Sequence, residues 1–420
     1  MTAQPGQLSV SVVIVSRHRP AELRRCLSAL RFQTLPRFEV VVVADPASMQ
    51  VIADLGLDGR VKQATFDVPN ISQARNIGVG MAAGDVVAFI DDDAVAEPVW
   101  LEQLTVPFLE PILGAAGGFV LGRNGIELQW GAEMVGPDGD SRPIDLTKKT
   151  TFQGSAESTV KTHGTNCAFR RDTLQQMGGF DEGYHFYLDE TDLNVRLGQR
   201  GYRTALVPEA LVQHGFAPSI RRRADRVPRS LFEMGASQAY FLKRHDRDLG
   251  RLDQIRRQHR ASLVKHMISG GLEPVSVRKL LQSFDDGVAD GLSRGGGTVT
   301  LPAPLAPFLL FRKTAPENLP ERSIVLYAPR RDQARLFAKA KTLSAQGSIV
   351  TAMVFSRTSL FHRRWFHPDG FWVQSGGLYG KSLRSDRYFT RFGLAARAER
   401  ERALLEKSRC CHAVKGCRSI

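Results

Sequence analysis

The feature that most constrains this chain is a short apolar run, from Val86 to Ile90, that ends in three consecutive carboxylates. Its five residues are rich in β-branched types and too few for a helix, so they predict a buried strand. In open α/β sheets ligands bind beyond the carboxyl ends of the strands, which is where Asp91, Asp92 and Asp93 lie. Three adjacent carboxylates repel one another unless a cation or a donor-rich ligand neutralises them.

An alternative interpretation of the triplet is a solvated acidic turn ahead of the next helix. The dipeptide Glu97–Pro98 argues against it, because proline favours the first helical position and predicts a helix that begins after the triplet, at Pro98. The aspartates then have no capping task. Their clustering is better explained by a bound cation or ligand.

Length and composition indicate an ordinary globular protein. At 420 residues the chain can bury one large core and a second, smaller one. No stretch approaches the roughly 20 apolar residues of a membrane-spanning helix, and the N-terminus lacks the features of a signal peptide, so we expect a cytoplasmic protein. Cys410, Cys411, His412 and Cys417 could suggest a metal site, but no second cluster completes the pattern, which favours structural thiols.

Charge divides the chain into two unlike halves. Residues 1–220 carry 19 Lys and Arg against 26 Asp and Glu, a net charge of −7, whereas residues 221–420 carry 38 against 17, a net charge of +21. The acidic half holds the aspartate triplet. The basic half suits an anionic surface such as phospholipid, a charged polysaccharide or nucleic acid.

The front half alternates between strand and helix patterns. Apolar runs predict strands over Leu8–Val15 and Phe38–Ala44, and a helix that opens at Pro20 lies between them. This order predicts a parallel sheet with right-handed crossovers. The first strand-to-helix turn contains no glycine, which argues against a dinucleotide-binding enzyme. Asp45 follows the second strand, where it could bind a nucleotide or serve as a turn residue.

A further helix is predicted from Asn70, and it carries Arg75 in an A-R-N-x-G pattern just ahead of the aspartate strand. The first strand, the aspartate after the second strand, this helix and the aspartate motif together resemble the family 2 glycosyltransferases of the GT-A fold. The resemblance covers roughly residues 8–215. It implies a Rossmann-like, mostly parallel GT-A catalytic domain over residues 1–220.

In that family the last aspartate of the motif binds a divalent metal ion, Mg²⁺ or Mn²⁺, held against the diphosphate of a nucleotide-activated sugar. By position, Asp93 and Asp91 would hold the metal, and Asp91 and Asp92 would contact the donor nucleotide. The family's domain often ends in a strand that reaches a histidine ligand, a position that His214 occupies. A lone histidine outside this context would more often be a structural residue.

The resemblance also implies donor-nucleotide contacts from Ser16, Arg17, Asp45 and Arg75. The donor would be a UDP-, GDP- or dTDP-linked sugar, and the acceptor a glycan or a lipid-linked glycan of the cell surface. The family often has two acidic residues followed by Gly-Ser after the second strand, whereas this chain has Ala44, Asp45 and Pro46. Recognition of the base therefore differs in detail from the family pattern.

Two later segments match the acceptor side of the family. Gly164 and Asn166 would pass close to the donor sugar, and Asp192 would contact donor or acceptor sugar. The base that removes the acceptor proton would be Glu190, with its neighbour Asp189 as the alternative. Acidic residues also favour the first turn of any helix, and Asp192 could simply pair with a basic residue four positions on.

The back half resembles no family. We predict a basic helical region over residues 221–295, a Gly/Pro linker over 296–322 and a small basic α/β domain over 323–420. The helix from Pro228 to His245 could lie on the inner face of the membrane, or it could pack against the catalytic domain. The aromatic, basic stretch from Phe361 to Trp372 could stack on sugars or bases, although core packing is the commoner use of such rings.

The sequence thus predicts an inverting, metal-dependent glycosyltransferase. A nucleotidyltransferase that makes activated sugars is one rival, but such enzymes usually carry a glycine-rich, lysine-containing loop after the first strand, and residues 16–19 offer none. A nucleic-acid-binding protein is another, suggested by the basic half. It leaves the acidic clusters unexplained, so we expect no nucleic acid as partner.

Overall fold

A large mixed sheet forms the centre of the front half in the computed structural model, which describes residues 8–146, 150–215, 221–223, 225–301, 304, 306–312, 323–410 and 413–416. Cys411, His412, Cys417 and much of the predicted linker lie outside these residues. The strands of the sheet run in the order β10-β13-β6-β12-β4-β1-β2-β3, with β5 paired to β13 and β7 to β6. Their bounds are β1 Val10–Ser16, β2 Phe38–Ala44, β3 Val61–Thr65, β4 Val86–Ile90, β5 Ala94–Ala96, β6 Leu113–Leu121, β7 Leu128–Trp130, β10 Thr151–Gln153, β12 Asn166–Arg170 and β13 Arg203–His214.

The pairings of the sheet follow the predicted pattern on one side. Strands β3, β2, β1 and β4 are parallel to one another, as is β13 to β6, whereas β12 is antiparallel to both β4 and β6. The fold is therefore the expected α/β architecture with a mostly parallel sheet. The carboxyl end of β4, which carries the aspartate triplet, lies in the middle of the sheet.

Helices cover both faces of the sheet because both faces of its strands are apolar. One core joins β1, β2 and β4 to α1, α2 and α4, and the other joins them to α3, α5 and α6. The helices are α1 Pro20–Leu30, α2 Pro46–Asp54, α3 Ile71–Met81, α4 Trp100–Thr105, α5 Arg171–Met177 and α6 Asp189–Gln199. Helix α4 begins after the aspartate triplet, as predicted, two residues beyond Pro98, and Ala94–Ala96 between them is extended and pairs with β13.

A small second sheet is formed by the chain between β7 and β12. It has the order β11-β8-β9, with bounds β8 Glu133–Val135, β9 Ser141–Pro143 and β11 Thr159–Lys161. Short antiparallel pairings of this kind leave little periodicity in the sequence, so the strands were not predicted. The segment lies beside the end of β13.

Three helices form the basic region, α7 Phe232–Arg244, α8 Arg251–Ile268 and α9 Pro274–Ser293. Helix α7 begins at Phe232 rather than at Pro228. Its backbone lies so close to α9 that a Cβ on Gly287 or Gly291 would meet a carbonyl oxygen of α7 at 2.0 or 2.1 Å. Tyr240 and Phe241 of α7 are buried.

The packing of α7 matches the interpretation in which this helix packs against the catalytic domain. Ser237 donates a hydrogen bond of 2.6 Å to the carbonyl of Phe186, and Tyr240 donates one of 3.1 Å to Asp181 of the catalytic half. The face that would enter a membrane is thus already covered by protein. Among the described residues no helix combines the length and apolarity needed to cross a bilayer.

The chain ends in a third, five-stranded sheet of order β16-β17-β15-β14-β18. Its elements are β14 Ser323–Pro329, α10 Gln333–Ala345, β15 Ile349–Ser356, β16 Arg363–Phe366, β17 Trp372–Gly377, α11 Leu394–Arg409 and β18 Ala413–Gly416. Only β16 is antiparallel to its neighbour. Phe366, Phe371 and Trp372 are buried, as the core interpretation expects, but Phe361 is 62% exposed.

A buried ion pair ties this last sheet to the catalytic half. The guanidinium of Arg409 at the end of α11 donates hydrogen bonds of 2.5 and 2.6 Å to the two carboxylate oxygens of Glu97. Arg409 also lies over the ring of Trp372, 5.0 Å from its centroid. Glu97 is therefore taken up by this bidentate contact and does not start helix α4.

We predict that Arg409→Met destabilises the fold by about 3–5 kcal/mol, because it leaves Glu97 as an unpaired buried charge. Urea unfolding followed by tryptophan fluorescence measures the effect. Arg402→Ala is the matched control on the same helix, since its ion pairs with Glu399 and Glu406 are at the surface and are worth about 0–1 kcal/mol. Equal losses in the two variants would contradict the assignment.

Candidate functional site

The end of β4 meets the end of β13 through the short strand β5. In this antiparallel pairing His214 lies opposite Ala94, the residue that follows the aspartate triplet. The register brings the imidazole Nε2 of His214 to 3.1 Å from a carboxylate oxygen of Asp93. Ligand atoms of Asp91, Asp93 and His214 all lie within 4.8 Å of one another. The structure thus brings together the three residues that the sequence predicted as metal ligands.

Asp92, between the two, points to a different set of partners. It accepts a 2.7 Å hydrogen bond from the hydroxyl of Ser16 and a 3.1 Å hydrogen bond from the guanidinium of Arg19. Burial raises the pKa of Asp92 to about 7, although Arg19 and Ser16 act in the opposite direction. Arg19 also lies 3.6 Å from Asp93, so one cation partly neutralises the triplet.

Arg75 connects the triplet to the acidic start of α6. This arginine is 3% exposed, lies 3.6 Å from Asp91 and forms a hydrogen-bonded ion pair with Asp189. It also donates a 3.1 Å hydrogen bond to the carbonyl of Gly164, and a Cβ on Gly164 would lie 2.7 Å from the guanidinium. The arginine therefore draws three chain segments into one site.

The position of Glu190 is set by a strained turn. Tyr187 and Leu188 have φ angles of 73° and 68°, in the left-handed region that costs free energy for residues other than glycine. Helix α6 begins directly after them at Asp189, so its first turn presents Asp189 and Glu190 together. Burial, and then the charge of Asp189, raise the pKa of Glu190 well above its ordinary value. A carboxylate with a raised pKa can accept a proton near neutral pH.

A cleft of about 240 Å³ opens beside the triplet, at the carboxyl ends of β1, β2 and β4. Its polar lining includes Ser16, Arg17, Asp91 and Asp92 from the predicted set. Its other lining residues are Val15, His18, Arg19, Val43, Phe66, Val68, Pro69, Asn70, Ile71, Ala74, His185, Phe186 and Arg221. An apolar floor with charged groups at one end is typical of a small-molecule site.

Asp45 lies under this cleft rather than in its lining. The residue is 1% exposed and caps helix α2, where its carboxylate accepts hydrogen bonds from the amides of Ala47 and Ser48 and from the hydroxyl of Ser48. It also accepts a 2.7 Å hydrogen bond from the amide of His18, which is in the left-handed region at φ 58°. These contacts fit the turn interpretation of Asp45, whose role is to shape the first loop of the cleft.

Two other residues that were predicted to contact a sugar, Asn166 and Asp192, have side chains bonded within the protein. The amide side chain of Asn166 is buried and fully bonded, because it accepts from the indole of Trp100 at 2.7 Å and donates to the carbonyls of Phe119 and Ala210. These hydrogen bonds link Asn166 of β12 to β6 and β13. That Asn166 passes close to the donor sugar stays a prediction.

Asp192 is likewise bonded within the protein. It is buried and pairs with Arg196 at 2.7 Å, as the structural alternative predicted, and with Arg244 and His245 at 3.2 and 3.0 Å. Arg196 and the other cations hold its pKa down to about 2 despite burial. Asp192 anchors α7 to the catalytic half, and its contact with a sugar stays a prediction.

We predict that Asp192→Asn lowers stability by about 3 kcal/mol while leaving the KM for donor within twofold, because the lost contacts are structural. With a depressed folded pKa, the contribution of Asp192 is present above the ordinary aspartate pKa of about 3.9 and is lost as pH falls through about 2. Thermal unfolding at pH 7 and donor kinetics measure both effects. Asp172→Asn is the control at an exposed position of α5. A rise in KM for the donor in Asp192→Asn alone would contradict the structural role and support a contact between Asp192 and the sugar.

Several residues of the site have no signal in the sequence that marks them out. Arg19 precedes the helix-opening proline, and Trp130 is a single aromatic residue in a polar, glycine-rich segment. In the structure the ring of Trp130 lies 5.2 Å from that of His163 and 5.5 Å from that of His214. It thereby supports the imidazole beside the acidic cluster.

Comparison with known proteins identifies relatives for the front half. The model of the family described as "Glycosyltransferase like family 2" matches residues 5–231, more than half of the chain. The O-antigen biosynthesis protein RfbC of Myxococcus xanthus is 28% identical over 242 residues, 53% of this chain and 18% of the relative. The N-acetylglucosaminyl-diphospho-decaprenol L-rhamnosyltransferase of Mycobacterium tuberculosis is 42% identical over 247 residues, 50% of this chain and 77% of the relative.

Among solved structures, TarS 1-349 of S. aureus matches with a TM-score of 0.43 and 16% identity, over 67% of this chain and 81% of that one. The chain spans less than a fifth of the Myxococcus protein, so the match concerns one part of that larger protein. The family match ends at residue 231, and the basic helices and the third sheet lie almost entirely beyond it.

Proposed function

We propose that this chain, which belongs to glycosyltransferase family 2, transfers a sugar from a nucleotide-activated donor to a glycan or lipid-linked acceptor, with inversion and with the help of a divalent metal ion. The observation that carries the proposal is the convergence of Asp91, Asp93 and His214, of which Asp91 also lines the cleft. Arg75 connects that group to Asp189, the neighbour of Glu190. Metal ligands and a candidate base therefore belong to one site.

The three ligands fit a Mg²⁺ or Mn²⁺ ion. Two carboxylates and one imidazole can direct an oxygen or nitrogen atom each to a common point, since those atoms lie within 4.8 Å of one another. Carboxylates suit both ions, and the nitrogen donor suits Mn²⁺ better than Mg²⁺, which is bound mainly by oxygen. When bound, such an ion supplies positive charge that stabilises a nucleoside diphosphate leaving group.

The cleft would receive the nucleotide. Its floor of Phe66, Val68 and Ile71 can cover the face of a base, while Ser16 and Arg17 at the end of β1 can bond to the ribose or phosphates. Arg19, held at 3.1 Å from Asp92, adds a cation on the side where a diphosphate would lie. The family resemblance favours UDP, GDP or dTDP as the nucleotide.

Glu190 would act as the base. In an inverting transfer the acceptor hydroxyl attacks the anomeric carbon from the side opposite the leaving group and gives up its proton as it does so. Asp189 is bonded to Arg75 and is therefore the less available of the two carboxylates. Glu190 keeps a raised pKa, which equips it to take the proton.

Two lines of support point to a cell-surface glycan as the product. The Mycobacterium relative is named as a rhamnosyltransferase of a diphospho-decaprenol acceptor, and the Myxococcus relative as an O-antigen biosynthesis protein. The positive charge of residues 221–420 is also compatible with peripheral contact with an anionic inner membrane surface, where lipid-linked acceptors would be presented. We propose no nucleic-acid partner, and we retain residues 1–220 as the catalytic unit.

We predict that a screen of UDP-, GDP- and dTDP-sugars with Mn²⁺ or Mg²⁺ finds metal-dependent hydrolysis of at least one donor. Asp93→Ala should reduce this turnover to background, because it removes a metal ligand. Asp54→Asn, which removes an exposed carboxylate on α2, is the matched control and should retain full activity. Undiminished metal-dependent turnover in Asp93→Ala would refute the metal site.

We predict that Glu190→Gln retains donor binding but lowers the transfer rate by about 10²-fold or more, the range expected for loss of a general base. Because the raised pKa of Glu190 keeps its carboxyl protonated at low pH, the wild-type rate should rise with pH to a midpoint above the ordinary glutamate pKa of about 4.3. Transfer kinetics against pH, with equilibrium binding of the nucleotide, measure both.

Asp189→Asn separates the two candidates for the base. It leaves Arg75 without its buried partner, so the expected effect is weaker binding of donor and metal rather than a selective loss of rate. If Asp189→Asn abolished transfer at unchanged donor affinity while Glu190→Gln remained active, the roles would be reversed.

A further inference from the structure

A cavity of about 320 Å³ lies at the carboxyl ends of the parallel strands β15 and β17 in the third sheet. It is lined by Arg330, Gln333, Phe337, Val354, Ser356, Leu360, Phe361, Arg363, Trp365, Val373, Ser375 and Gly376. Open α/β sheets bind ligands at this edge. The family match ends well before this part of the chain.

Aromatic rings form the walls of this cavity and remain partly open to solvent. Phe337 and Trp365 are half-buried, and Phe361 is 62% exposed. The guanidinium of Arg363 stacks over Trp365, 5.0 Å from the ring centroid. Leu360, beside Phe361, is 59% exposed. Exposed Leu360 and Phe361 beside two partly open rings form an apolar patch of the kind that contacts a partner.

The charge of the cavity indicates an anionic ligand. Arg330 and Arg363 both line it, both are exposed, and neither forms an ion pair with a carboxylate of the described residues. Residues 323–420 carry 19 Lys and Arg against 6 Asp and Glu, so the surrounding field is positive as well. Arginine guanidinium groups match carboxylate oxygens with two parallel hydrogen bonds.

Strand β16 fixes the cavity relative to the catalytic half. The backbone of Arg364 donates a 2.7 Å hydrogen bond to the carbonyl of Asn124 and accepts one of 2.8 Å from the side chain of Gln213. Gln213 directly precedes the candidate metal ligand His214. Because successive side chains of a strand point to opposite faces, Arg363 and Trp365 lie on the face opposite the buried side chain of Arg364, and both line the cavity.

We propose that this cavity binds an acidic glycan, a run of sugars that carry carboxylates, as an extended subsite for the acceptor or the growing product. Rings offer faces to the apolar sides of sugars, arginines meet the carboxylates, and Gln333, Ser356 and Ser375 offer hydrogen bonds to hydroxyls. The inference rests on the proposed transfer to a glycan. In this arrangement one stretch of the glycan acceptor would lie on β16, which contacts the strand that carries His214.

The test uses the full chain and a fluorescein-labelled octamer of α-1,4-galacturonic acid, with neutral maltooctaose as the matched uncharged chain. Fluorescence anisotropy should show binding of the acidic octamer that Trp365→Ala and Arg363→Gln each weaken at least tenfold. Arg335→Gln, on the exposed surface of α10 and outside the cavity lining, is the charge control and should bind as the wild type does. Donor hydrolysis, measured in parallel, should be unchanged in all three variants.

The outcomes separate this inference from the proposed function. Absence of octamer binding, equal binding of maltooctaose, or undiminished binding in both Trp365→Ala and Arg363→Gln would overturn the glycan site while leaving donor hydrolysis intact. Equal or tighter binding of a dT8 oligonucleotide or of phosphatidylglycerol vesicles would overturn it in favour of another partner. Octamer binding without any donor hydrolysis would overturn the proposed transfer and uphold the cavity as a glycan site.

Discussion

The buried guanidinium of Arg75 is the interaction on which the candidate site depends. Asp91 and Asp189 come from segments about a hundred residues apart, and each would be costly to bury as a charge without a partner. Arg75 offers a cation to both and also binds the carbonyl of Gly164. Because the rings of Phe89 and Phe180 lie 5.8 and 5.3 Å from its guanidinium, the arginine cannot move without disturbing the core. The acidic groups are thereby held in place before any ligand arrives.

The rest of the fold serves to bring side chains to this cation. Strand β5 turns the chain back against β13, so that His214 returns to the aspartates that precede β5. The left-handed residues Tyr187 and Leu188 start α6 abruptly, which exposes its first acidic turn to the site. Asp192, one turn along, is held by Arg196 of α6, by Arg244 of α7 and by His245 just after α7, so the basic region stabilises the same acidic helix. The third sheet is joined through Glu97, just after β5.

Much of this site could be predicted from sequence, and the contacts that could not be predicted share one physical cause. Local patterns in a fixed order mark the aspartate strand, the helix that carries Arg75 and the position of His214. These features can therefore be predicted from the sequence alone. Asn166 and Asp192 look equally functional in sequence, but their hydrogen-bond partners come from Trp100, Ala210 and His245, which no local pattern connects to them. Strand β5 was not predicted for the same reason, because its pairing partner β13 lies far away in the sequence.

We propose that Asp91, Asp93 and His214 share one metal ion beside the cleft. Crystals grown with Mn²⁺ and, in turn, UDP, GDP and dTDP allow the ion to be located by its anomalous scattering. We expect a single strong anomalous peak for Mn²⁺ within bonding distance of all three side chains, with the diphosphate on the open side of the ion. A nucleotide bound in the cleft with the manganese peak elsewhere, or with His214 still bonded to Asp93, would contradict it.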